Sequence, residues 1–326
     1  MPLNGKQGCI LVSSLLVLGI AAARAEGASI QAAPATENVT VTGTKPTDAA
    51  ISKFVEALTV STRAADKVAR WRDGICPLAA GARPEVGTAI VKKIREVAAT
   101  VGAPVNTRQG CPNNIEVIFT TEPQALLDDV RVMHPNLLGY FDNSAEAEKL
   151  ATMRSAIQSW YITATVDRHG QVQVDGARKG GVTVTMMLPQ AGIGGPSVAP
   201  TMFTMNLPNA TGAAATDGRL GDGISSTITN VVIVADTSKL LNREVGVMAD
   251  YIAMLALSQV RPPDGCQDMP TILNLLVPDC SRAAGALSAT DMAYLKALYK
   301  MTPTAKAFGQ RDEIRYQMKK TLGADQ

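Results

Sequence analysis

Residues 229–260, TNVVIVADTSKLLNREVGVMADYIAMLALSQV, set the fold class. Thr229 to Ala235 is a β-branched run too continuously apolar for a strand with one wet face, so it reads as a strand buried on both sides. Asp236-Thr237-Ser238 supplies capping side chains next, and the pattern predicts one helix running from 238 to 260. Val245, Met248, Ile252 and Leu255 make one apolar face of it, and Ala249, Ala253, Ala256 and Val260 a second face of small residues. A helix apolar nearly all round belongs in a core. Asp250 stands apart, on the remaining face with Gly246, Met254 and Leu257. It is either a buried carboxylate with a partner or an acid at the rim of a groove.

Working outward, Ile115 to Thr121 (IEVIFTT) predicts a second central strand. Helices are predicted from Pro46-Thr47, with Ile51, Phe54, Val55 and Leu58 on one stripe, and from Pro84, with Val86, Ile90, Ile94, Val97 and Val101. Gly102 and Pro104 stop the second. Another helix starts at Pro123 with Leu126, Leu127, Val130 and Met133 inward, and Asn143 with Glu146 opens one near 144–157. Asp167-Arg168-His169-Gly170 is turn chemistry between Trp160–Val166 and Gln171–Asp175, a hairpin. Short strands are expected at 39–42, 182–188 and 201–207, and Gly, Pro and Ala make loops of 189–200 and 208–223. Towards the C-terminus a short helix fits 270–276, Ser288 with Asp291 caps a helix carrying Met292, Leu295 and Leu298, and a charged helix covers 310–322. With no repeat and no internal linker, residues 47–322 read as a single α+β domain, a mixed β-sheet packed against helices.

The 326 residues are 46% hydrophobic and 18% charged, enough apolar surface for a core, which excludes global disorder. Residues 1–25 read as a secretory signal peptide: Lys6 gives the basic start, Cys9 to Ala22 the apolar stretch, and Ala23-Arg24-Ala25 the cleavage site before Glu26. Residues 26–46 then form a flexible leader. Removing the signal takes Lys6 and Arg24 with it and no acid, which brings 31 basic side chains level with 29 acidic ones. Zero net charge argues against nucleic acid and against a polybasic membrane surface. No later apolar run reaches the length of a membrane span, so a soluble periplasmic or secreted protein is expected. Four cysteines remain, and their clustering suggests two local disulfides, Cys76–Cys111 and Cys266–Cys280, among the three connectivities that four cysteines allow. The rival is a metal site of four thiolates, against which stands the absence of any C-x-x-C.

Familiar chemistry is mostly missing. There is no phosphate loop, no G-x-S-x-G elbow, no S-x-x-K and no H-E-x-x-H. Gly192-Ile193-Gly194 and the elbow-like Gly195-Pro196-Ser197-Val198-Ala199 sit in a Pro/Gly loop with no helix after them. Two histidines, His134 before a proline and His169 in the hairpin turn, leave little room for a triad or a His-rich metal site. Asp217 and Asp222 fall in TDGRLGDGISS, which lacks calcium-loop spacing and reads as a glycine-driven turn. No cofactor site and no metal site are read from these residues. Asp250 is the one catalytic candidate.

Five stretches carry a resemblance: ARWRDGICP at 69–77, VAATVGAPVN at 97–106, NIEVIFTTEPQALLDDVR at 114–131, GRLGDGISSTI at 218–228 and DYIAMLALSQ at 250–259. Together they resemble a family of secreted, chiefly alphaproteobacterial proteins of unknown function. A second resemblance covers the last hundred residues. A strand at Thr229–Ala235, a long helix, a short helix beside a cysteine, and Leu287-Ser288-Ala289-Thr290-Asp291 leading to Leu298-Tyr299 is similar to the order in metzincin-type metallopeptidases. Laid on the H-E-x-x-H-x-x-G helix of that family, this chain has Ala249 and Ala253 where imidazoles would grip zinc and Asp250 where the general-base glutamate would be. The resemblance implies a degenerate zincin-like scaffold without metal, hence a non-catalytic module for a peptide, a protein or a cell-envelope component. The competing expectation is a hydrolase using Asp250 as acid or base.

Overall fold

The structure is a computed structural model describing residues 45–176, 182–188, 201–207, 223–260, 263 and 265–323. Its elements in chain order are α1 (Asp48–Leu58), β1 (Arg70–Trp71), β2 (Pro77–Ala80), α2 (Pro84–Val101), β3 (Ile115–Thr120), α3 (Pro123–Met133), α4 (Ser144–Leu150), β4 (Ile157–Val166), β5 (Val172–Val174), β6 (Val182–Leu188), β7 (Thr201–Leu207), β8 (Ser225–Asp236), α5 (Thr237–Leu240), α6 (Val245–Leu257), α7 (Ala289–Lys300) and α8 (Ala307–Leu322). Two 3-10 helices lie at Pro135–Leu138 and Ile272–Leu276. Thr44–Gln326 forms one compact unit.

β8 is the centre of a mixed sheet in the order β2-β3-β8-β4-β5. β1 pairs in parallel with the front half of β8 and β3 with its back half, Ile115 beside Val231 and Thr120 beside Asp236. β2 adds to β3 in parallel through α2, while β4 runs antiparallel to β8 with a bulge at Ile162–Thr163. β6 and β7 pair with each other as a separate antiparallel ribbon. The apolar runs of β3 and β8 follow from burial on both faces. Ile115, Val117, Phe119, Val231, Ile233 and Ala235 face the cluster built with α1, α2, α6 and α7. Ile118, Val232 and Val234 face a smaller cluster built with α3, the 135–138 helix and α4.

Local signals agree with the elements they predict. Thr47 and Asn143 cap α1 and α4, and Ser288 with Asp291 forms a capping box on α7. Gly102, at φ 83°, ends α2 in the left-handed conformation. After β2 the chain crosses so close to β3 that a Cβ on Gly81 would lie 2.0 Å from the carbonyl oxygen of Phe119, so only glycine fits there.

Several expectations are corrected. The helix over 238–260 is two: α5 ends at Leu240, and Leu241 to Glu244 turn the chain before α6. α4 stops at Leu150 because the chain must be extended by Ile157, which pairs with Ala235. Met133, expected on the buried stripe of α3, is 68% exposed. β1 and β2 are strands that no sequence pattern predicts. The expected signal peptide, most of the expected leader, the expected strand at 39–42 and nearly all of the expected loops 189–200 and 208–223 lie outside the described residues.

Candidate functional site

Asp250 sits in the middle of α6, where every residue from Met248 to Leu257 is buried. Its side chain accepts in two directions. Lys93 Nζ of α2 lies 3.1 Å from Oδ1, and the backbone N–H of Leu287 donates to Oδ2 at 3.3 Å. The carboxylate therefore ties α6 to α2 and to the segment leading into α7. Ala249 and Ala253, flanking it in the zincin-like alignment, are 2% and 0% exposed and pack in the main core. A methyl group has no lone pair to give a metal.

The end of α6 shows why this helix is fixed so firmly. A helix leaves its last four carbonyls without intrahelical partners, and here that end is buried without a glycine cap. Ser258 Oγ donates to Met254 O at 2.7 Å, Tyr161 Oη to Leu255 O at 2.9 Å, Trp71 Nε1 to Ala256 O at 2.8 Å and Tyr299 Oη to Leu257 O at 2.8 Å. Side chains from β4, β1 and α7 thus complete the helix.

An open surface lies elsewhere, just beyond the carboxyl end of β8. From β3 the chain leaves to the α3 face, and from β8 it leaves to the α6 face, since Leu240 packs in the main core. Adjacent parallel strands whose connections diverge in this way leave a crevice beyond their ends, the usual place for a ligand in open α/β sheets. On the β8 side is a depression of about 450 Å³ lined by Ser238, Lys239, Leu241, Asn242 and Arg243. Leu241 is 61% exposed. Asp236 at the strand end accepts from Ser238 and pairs with Lys239 Nζ at 3.2 Å. Burial alone would raise its pKa; the Ser238 hydroxyl and the Lys239 ammonium outweigh that and hold it below the ordinary aspartate value. Arg243 adds an exposed cation to this rim.

The other sequence candidates do not converge. His134 ends α3, its N–H bonded to Val130 O, while His169 lies in the β4–β5 turn, where its ring accepts from Arg168 Nε at 3.0 Å. Ser197, Asp217 and Asp222 fall outside the described residues. Cys76–Cys111 and Cys266–Cys280 are both bonded. Among the described residues no group of three or more His, Cys, Asp and Glu side chains could hold a metal ion, and no helix is long and apolar enough to cross a membrane.

Two buried carboxylates go beyond what the sequence shows: Asp291, legible as a cap, makes a wider network, and Glu116 carries no predicted role. Asp291 is fully buried and accepts from Thr271 Oγ1, Ile272 N, Ser288 N and Ser288 Oγ. Burial still leaves its pKa raised despite those donors. Glu116 on β3 is also fully buried, neither carboxyl oxygen has a hydrogen-bond partner among the described residues, and burial pushes its pKa well above the ordinary glutamate value. The signal for it was one acid inside an otherwise apolar IEVIFT run. No family model, curated protein or solved structure matches the chain.

Proposed function

We propose that this chain is a non-catalytic extracytoplasmic binding protein, taking a peptide, a protein or a cell-envelope component, on a metallopeptidase-like scaffold that lacks zinc ligands. The observation that carries the reading is the state of α6. Where a peptidase would offer two imidazoles and a free carboxylate, this helix offers the buried methyls of Ala249 and Ala253 and an Asp250 engaged by Lys93 and Leu287. Two disulfides support the compartment, because such bonds persist in oxidising surroundings. The depression beyond β8 is the surface offered to a ligand, with Leu241 for an apolar group and Lys239 and Arg243 for an anionic one.

The test uses the chain from Glu26 onward, produced with its disulfides. Metal content is measured, hydrolysis of generic peptides and esters is screened, and binding to a peptide array is compared between the unaltered protein and Arg243→Glu. The expected result is no stoichiometric metal, no turnover, and peptide binding that weakens at least tenfold in the variant. Stoichiometric zinc, or turnover abolished by Asp250→Asn, would establish the hydrolase instead.

A further inference from the structure

Glu116 has a polar neighbour in the same predicament. On β8, Asn230 is 1% exposed, and among the described residues neither its amide nitrogen nor its oxygen has a hydrogen-bond partner. The sheet register places the two together. Glu116 stands beside Val232, and Asn230 lies two residues earlier on β8, opposite Ile162 of β4. Val232 and Ile162 both face the α3 and α4 cluster, so Glu116 and Asn230 project to that side from adjacent strands. Diagonal neighbours of this kind have Cα atoms about 7–8 Å apart, within reach of long side chains. Four hydrogen-bonding atoms are therefore gathered on adjacent strands, on the side of the sheet that packs against the apolar α3 and α4 cluster.

A buried polar atom left without a partner costs about 1–3 kcal/mol. Four in one place would be a heavy burden for a fold whose other buried carboxylates are engaged, Asp250 by two groups and Asp291 by four. Buried water resolves such clusters in folded proteins, typically making about three bonds to groups otherwise unsatisfied. We propose that Glu116 and Asn230 form an internal water site, with at least one water molecule bridging the carboxyl and the amide between the sheet and the α3–α4 layer. A protonated carboxyl and a primary amide each offer both a donor and an acceptor, so one water can accept from one side chain and donate to the other. The site is independent of the binding function proposed above.

Substitutions of matched size separate this from an empty cluster. Glu116→Met, Asn230→Leu and the double variant are compared by urea unfolding. With a bridging water, each single change strands the other side chain and lowers the unfolding midpoint. The double variant strands nothing, so its midpoint lies above both singles. If the site were dry, each single change would remove orphaned atoms and raise the midpoint, and the double would show the sum, which overturns the proposal. Should a single variant fail to fold, diffraction from the unaltered protein decides. Solvent density within hydrogen-bonding distance of both side chains supports the site, and a void or a direct Glu116–Asn230 bond ends it.

Discussion

The indole Nε1 of Trp71 donates to the carbonyl oxygen of Ala256 at 2.8 Å, across 185 residues of sequence. Through it the two-residue strand β1 holds the end of the most buried helix, and Tyr299 does the same from α7 one residue on. Phenylalanine at Tyr299 keeps the ring and removes only the donor, while at Trp71 it removes the donor and also shrinks a buried bicycle to one ring; both leave a buried carbonyl unpaired. Each of Trp71→Phe and Tyr299→Phe is expected to lower stability by about 1–3 kcal/mol. Urea unfolding at constant slope measures it, and an unchanged midpoint in both would show that water reaches this helix end.

The Lys93–Asp250 pair is unequal, and that inequality predicts an asymmetry. The Lys93 side chain is 35% exposed, so it can turn to solvent when its partner goes; the Asp250 side chain, at 9%, cannot. Lys93→Met should therefore destabilise more than Asp250→Asn, which removes the charge while its amide oxygen still accepts from Leu287. Full burial would put the Lys93→Met loss at about 3–5 kcal/mol, and the partly wet lysine reduces this to about 1–3 kcal/mol. Comparing the two unfolding midpoints tests the ordering, and a larger loss for Asp250→Asn would contradict it.

Much of this architecture is legible in sequence because local signals and tertiary demands coincide. Ile51, Phe54, Val55 and Leu58 recur at helical spacing and are all buried in α1; Ser288 and Asp291 cap α7 as their spacing requires. Where the two conflict, packing wins. Leu241 to Glu244 carry no Gly or Pro to stop a helix, yet the chain breaks there to bring α6 beneath the sheet. β2, Pro77–Ala80, has no alternation to read, because its strand character comes from pairing with β3. The Asp250 alternatives were legible, buried with a partner or rimming a groove, but the partner was not: Lys93 is far away in sequence and belongs to a helix face that reads as solvated. Glu116 and Asn230 are invisible as a pair until the β3–β8 register is known.

Both disulfides should contribute to stability, and unequally. Cys76–Cys111 spans 35 residues and joins the start of β2 to the approach to β3, whereas Cys266–Cys280 spans 14 within the segment before α7. In the chain-entropy model these separations correspond to roughly 3–4 kcal/mol, with the larger value for the longer loop. Replacing both members of a pair with alanine should lower the melting temperature more for Cys76–Cys111. Calorimetry on the two paired variants checks the order, and a reversal would show that native packing around the shorter loop outweighs chain entropy.

Glu116 gives the fold a pH dependence whose sign follows from its surroundings. Burial is the cause of its raised pKa, and no cation among the described residues opposes it. The folded state therefore keeps the proton where the unfolded chain has already released it, above the ordinary glutamate value of about 4.3. Stability from this residue is fully present below that pH. It declines by about 1.4 kcal/mol per pH unit as pH rises towards the folded-state pKa, then levels off. Glu116→Gln removes the titration while keeping a neutral hydrogen-bonding group. The variant should match the unaltered protein near pH 4 and exceed it at higher pH, by a margin that grows until the folded-state carboxyl ionises, read from urea midpoints across pH 4 to 8. If the difference between the two stayed constant with pH, Glu116 would have to be ionised in the fold, with a cation or water chain reaching it between β3 and α3.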